Sequence, residues 1–75
     1  MLAELTLGEV LQRTRRRKGL LQKWVAKEVG VTNFHLSRVE RGHTEPSVEL
    51  LIELAKVLDM PLEQALRMSS RLKKG

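Results

Sequence analysis

Residues 22–40, QKWVAKEVGVTNFHLSRVE, constrain this chain more than any other stretch. Two short helical patterns are separated there by one glycine, Gly30. Apolar residues fall at Val25, Val29, Val31, Leu36 and Val39, and Ala26 sits four residues before the glycine. That spacing suits two helices that turn their apolar faces inward and meet at a steep angle across a tight turn. Gly30 then has to reverse the chain with φ > 0, where a Cβ would clash. Ala26 has to be small, because the second helix of the pair crosses close to the first at that point.

A helix pair of this geometry presents its second helix to the major groove of DNA. The reading is therefore a sequence-specific DNA binder and not an enzyme. Composition agrees in outline. Fourteen Lys and Arg against nine Asp and Glu give a net charge of +5, which favours an anionic partner, although a ribosome-associated or membrane-surface protein would show the same balance. No cysteine is present, so neither disulfides nor thiolate metal sites staple the fold. No HExxH, GxSxG or glycine-rich phosphate loop occurs, and the two histidines do not combine with the glutamates into a metal site. No catalytic residue, metal or other cofactor is expected.

The remaining sequence reads as helices throughout. Val, Ile, Thr and aromatic residues nowhere alternate with period two, which argues against a sheet. Thr6 and Glu9 have capping-box spacing at the start of helix one, with Leu5 and Val10 placed as a hydrophobic staple. Leu7, Val10, Leu11 and Thr14 form its inner stripe, and Lys18-Gly19 ends it. Helix two spans about 21–29. Helix three follows Thr32 as N-cap and runs to about 41, where Gly42 stops it. Ser47 caps helix four, with Leu51, Leu54, Ala55 and Leu58 inward. Asp59 and Met60 turn the chain, and Pro61 opens helix five, whose Leu62, Ala65, Leu66 and Ser69 form a mostly apolar side. The expected fold class is all-α, a compact five-helix bundle in a single domain over 1–75. Its core covers about 6–68, and a basic C-terminal end covers 69–75, of which 71–75 is expected to fray.

With these pieces placed, the chain resembles the phage repressor and Cro type of helix-turn-helix domain. The resemblance is carried by LGEVLQRTRRRKGL, LQKWVAKEVGVTNFHLSRVERG and EPSVELLIELAKVLDMPLEQAL, about residues 7–66. Its specific marks are Gln22, Ala26, Gly30, Leu36, Ser37, Glu40 and Gly42, followed by Pro46-Ser47. It implies that helices two and three form the DNA-binding unit. With Leu36 and Val39 inward, the outer side of helix three carries Asn33, Phe34, Ser37, Arg38 and Arg41. By position in the family, Asn33, Phe34, Ser37 and Arg38 are the base readers. Arg38 suits guanine O6 and N7, and Asn33 suits adenine N6 and N7. Phe34 departs from the polar residue usual in the family. Its readable target is a thymine methyl, and its competing role is a protein contact.

The resemblance also gives Gln22 a phosphate contact and a role in buttressing a base-reading side chain. Leu21 replaces the Ser or Thr usual before it, which removes a side-chain cap worth about 1 kcal/mol. Thr32, His35, Arg41, His43 and Thr44 are further phosphate candidates around the ends of helix three. Arg15 and Glu40 match a family ion pair that ties helix one to helix three. Arg13, Arg16, Arg17 and Lys18 read as a solvated face, with phosphate contact open for one or two of them. Trp24 is expected at the edge of the core or in solvent, with packing against a neighbouring helix preferred to a contact with the DNA backbone or a partner.

Many members of this family are homodimers on palindromic operators, and the same is expected here. Leu50, Val57, Met60, Leu62 and Leu66 exceed what the inner stripes need, with Met68 and Leu72 beyond them, and they are the candidate dimer surface. The alternative function is an antitoxin or adaptor whose main partner is another protein. A controller protein of a restriction system would read identically. The N-terminus lacks a signal-peptide pattern and no apolar run approaches the roughly 18 residues of a membrane span, so no membrane partner and a cytoplasmic location are expected.

Overall fold

The computed structural model describes residues 5–69. They form α1 (Leu7–Arg17), α2 (Gln22–Val29), α3 (Asn33–Glu40), α4 (Val48–Leu58) and α5 (Leu62–Met68). No strand occurs among the described residues. The end expected to fray, 71–75, and Leu72 within it lie outside them.

Local chemistry sets the helix ends where they were expected. The Thr6 hydroxyl accepts from the Glu9 amide at 3.1 Å, and the Glu9 carboxylate accepts from the Thr6 amide at 2.9 Å, completing the capping box. Thr32 caps α3 by accepting from the His35 amide, and Ser47 caps α4 by accepting from the Leu50 amide. Leu21 opens α2 with no side-chain cap. Gly30 ends α2 at φ +81, and Gly42 follows α3 at φ +80.

The core is filled chiefly by Leu11, Val25, Leu36, Val39, Leu51, Leu54 and Leu58. Ala26 is buried beside them at the α2–α3 crossing, as its size required. Helix α4 is the hub, packing against α1, α2 and α5. Its buried arc is therefore wider than one stripe, and it takes in Leu50 as well as Leu51, Leu54, Ala55 and Leu58. This corrects the reading of Leu50 as a dimer-surface residue: it is 8% exposed and belongs to the core. Val57, Met60 and Leu66 are half-buried against the same core, and Leu62 stands exposed. Leu62 therefore leaves the apolar side proposed for α5, on which Ala65 and Ser69 are fully buried. On α1, Val10 is only half-buried, while Gly8 and Arg15 join Leu7, Leu11 and Thr14 inside.

Two contacts lock α3 onto α1. The first is steric. A Cβ on Gly8 would fall on the carbonyl oxygens of Val39 and Glu40, 2.6 Å from the latter, so only glycine lets the two backbones approach this closely. The second is electrostatic. Arg15 Nε and Nη2 donate to the two carboxylate oxygens of Glu40 at 2.7 and 3.0 Å, in a bidentate fork. Arg15 Nη1 donates to the Leu20 carbonyl at 2.8 Å, and Gln22 Nε2 donates to Glu40 Oε1 at 3.0 Å. The pair is thus buried with its hydrogen-bonding capacity largely satisfied, the condition under which burying charge is tolerable.

Two stability predictions follow from these contacts. Gly8→Ala gains about 1 kcal/mol of helix propensity but forces backbone apart, a strain of typically 1–3 kcal/mol or more. Thermal melting should show a lower Tm than the parent. Arg15→Met and Glu40→Leu singly should each cost roughly 3–5 kcal/mol, because each strands a buried charge. The double substitution should recover most of that loss, which a double-mutant cycle in urea measures.

Candidate nucleic-acid interface

Helix α3 is divided along its length. Leu36, Val39 and Glu40 are 0%, 1% and 3% exposed and face the bundle. Asn33, Phe34, Ser37, Arg38 and Arg41 recur at intervals of three and four residues, which brings them together on the other face. Asn33, Phe34 and Arg41 are exposed, while Ser37 and Arg38 are half-buried. Phe34 is 69% exposed, the largest value among the bulky apolar side chains described. An aromatic ring held out by a capped helix, beside an amide, a hydroxyl and two guanidinium groups, can contact both apolar and polar edges of a ligand.

The two arginines are loosely placed. Arg38 Nη2 reaches the His43 carbonyl at 3.4 Å, and Arg41 Nε reaches the Ser37 carbonyl at 3.4 Å. Both contacts are long for hydrogen bonds, so either guanidinium is free to turn to a stronger acceptor. His43 is exposed and Thr44 half-buried on the segment after α3, with the His43 amide donating to the Arg38 carbonyl. His35 is half-buried, and the Thr32 oxygen is engaged by the cap.

Gln22 lies at the first turn of α2 and is half-buried. Its amide nitrogen is held by Glu40, so the side chain is oriented by the same carboxylate that anchors α3 to α1. The resemblance implied that Gln22 buttresses a base-reading side chain; the partner is instead the buried Glu40, eighteen residues away in sequence. Nothing in local spacing signals that link. At the start of α2, Leu21 is 63% exposed and Trp24 45%, so the indole stands partly in solvent, within what was expected of it. Lys23 and Lys27 are exposed on the same helix. No group of His, Asp and Glu that could hold a metal occurs among the described residues, and no described helix is long and apolar enough to cross a membrane.

This arrangement recurs in known proteins. A family model described as helix-turn-helix matches residues 11–64. The HTH-type transcriptional regulator SlrR of Bacillus subtilis is 37% identical over 59 residues, covering 77% of this chain and 39% of that protein. The regulator ClgR of Mycobacterium tuberculosis is 37% identical over 60 residues, covering 80% of this chain and 54% of that protein. The chain thus spans about two fifths to just over half the length of these relatives. Among solved structures, the c2 repressor of phage P22 in complex with a synthetic operator superposes with a TM-score of 0.77 at 32% identity, covering 83% of this chain and 94% of that one. Five helices in this order, with α2 and α3 meeting at Gly30 and an outward face on α3, place the chain in the helix-turn-helix family of phage repressor and Cro type.

Proposed function

We propose that this chain is the DNA-binding part of a transcriptional regulator that recognises a specific double-stranded sequence. The observation that carries this reading is the outward face of α3, where Asn33, Phe34, Ser37 and Arg38 stand clear of a core that fixes the helix from behind. Laid in the major groove, Arg38 donates to guanine O6 and N7, Asn33 pairs with adenine, and Phe34 packs on a thymine methyl. Gln22, Thr32, His35, Arg41, His43 and Thr44 flank that face and meet phosphates, which set register without reading sequence. The likeness to a repressor solved on its operator supports the reading.

The regulator works as a homodimer on a palindromic operator in the cytoplasm. Two copies of α3 then enter successive major grooves about 34 Å apart. With Leu50 in the core, the dimer surface reduces to Leu62 and the half-buried Val57, Met60 and Leu66. A second reading, a protein-interaction module, is favoured by the exposure of Leu21 and Trp24 away from α3. A gel shift on mixed DNA is the test: absence of a shift even at low salt favours the module reading.

The side chains of α3 divide into readers and holders, and binding titrations on a selected site and on random DNA at several salt concentrations expose the division. Arg38→Ala should cost about 1–3 kcal/mol on the selected site and much less on random DNA. Equal losses on both DNAs would remove its base-reading role. Arg41→Ala should weaken both alike and reduce the salt slope by about 1. Replacing the contacted thymine by uracil deletes one methyl, worth about 0.8 kcal/mol or roughly fourfold in affinity. That loss should appear with Phe34 and vanish in Phe34→Ala; a loss that persists in the variant assigns the methyl to another side chain.

A further inference from the structure

Outside the α2–α3 unit, the structure holds a groove of about 390 Å³ between α1 and the α4–α5 turn. Leu5 and Val10, the staple pair, form one apolar wall, and Met60 and Pro61 form the other. Arg13, Arg17 and Lys18 rim it, with Asp59 as the sole acid among the lining residues. Arg13, Arg17 and Lys18 are exposed, and none of their side chains makes an ion pair or hydrogen bond with a described residue. These three cations, on α1 and at its C-cap, therefore have no partner among the described residues. No residue of α2 or α3 contributes to the groove.

We propose that this groove docks an acidic amphipathic helix of a partner protein. Charge complementarity decides the occupant. Three cations without a described partner, against one acid in the lining, call for an anionic ligand, while walls of Leu5, Val10, Met60 and Pro61 call for an apolar side chain between its charges. A DNA backbone supplies the first but has no group for the second. The spacing fixes the pattern. Val10, Arg13, Thr14 and Arg17 lie along two turns of α1, about 10 Å long, and Arg13 and Arg17 are one turn apart. Carboxylates at i and i+4 of the incoming helix, flanking a leucine, match that stripe. Because the lining excludes the reading helix, a docked partner leaves α3 free, while Met60 is the one lining residue it shares with the proposed dimer surface.

The test uses the whole chain and a labelled peptide of about 15 residues, long enough for helix to form. The peptide carries glutamates at i and i+4 around leucines, and a second version has glutamine at those positions. Fluorescence polarisation should show the glutamate peptide binding at least about tenfold more tightly than the glutamine one. Arg13→Glu with Arg17→Glu should lower its affinity at least about tenfold, by turning attraction into repulsion. Lys23→Glu with Lys27→Glu makes the same charge change on α2 and should leave binding within about threefold. Leu5→Ser tests the apolar wall and should also weaken binding. Amide shifts in 15N spectra should centre on Leu5, Val10 and Met60, with folding of every variant checked by its melting curve. Equal losses in the two double variants, shifts centred on α3, or no binding at all would overturn the proposal. So would loss of DNA affinity in the Arg13, Arg17 variant with peptide binding intact, which assigns the cations to phosphate. Self-association of the parent chain that the same variant abolishes would give the groove to a second copy instead.

Discussion

Glu40 is the junction on which the functional surface depends. Its carboxylate receives both forks of Arg15 from α1 and the amide of Gln22 from α2, while its backbone closes the last turn of α3. Arg15 extends the same network to the Leu20 carbonyl at the entry to α2. Three helices are therefore pinned at one buried point. A charged pair contributes little net stability once its desolvation is counted, but its geometry is demanding, since planar guanidinium and carboxylate meet only in a narrow set of orientations. The pair fixes where α3 sits and how it is rotated, and those two quantities decide which way the side chains of its outer face point.

The need for such pinning follows from length. Helix α3 has eight residues, far below the dozen or more at which an isolated helix becomes even marginally stable in water. It holds its shape only through its cap at Thr32 and its buried face. Leu36 and Val39 supply the burial, Gly8 lets α1 close over the Val39 and Glu40 carbonyls, and Glu40 sets the azimuth. Van der Waals contact alone would tolerate a small rotation of so short a helix. A bidentate ion pair combined with backbone contact at Gly8 does not.

Much of this was legible in the sequence, and the reason is physical. Caps, left-handed glycines and inward apolar positions are local features, so Thr6 with Glu9, Thr32, Ser47 and Gly30 announced their elements directly. The Arg15–Glu40 pair came through the family resemblance, and the structure shows it formed. What was missed depended on contacts distant in sequence. Leu50 looked surplus to a single inner stripe, and only the packing of α4 against α1, α2 and α5 together draws it into the core. Gly8 was the converse case: an unexplained glycine inside a helix is a signal of close backbone approach, but the partner backbone, thirty residues on, could not be named from α1 alone. Gln22 had a role from the resemblance but not its partner.

The division of labour along α3 has a consequence for how such a domain can vary. The residues that hold the helix, Leu36, Val39 and Glu40, are all nearly fully buried. Those on the outward face are exposed or half-exposed and make no described hydrogen bond shorter than 3.4 Å through their side chains. Substitutions at Asn33, Phe34, Ser37 and Arg38 therefore touch stability only weakly, since surface changes away from caps and buried networks usually stay within about 0.5 kcal/mol. Phe34 illustrates the freedom this gives. A solvent-exposed aromatic brings the fold no burial, yet the bundle carries it, because the core behind α3 is complete without it. The outward face can then change one side chain at a time while the network centred on Glu40 keeps the helix in the same place.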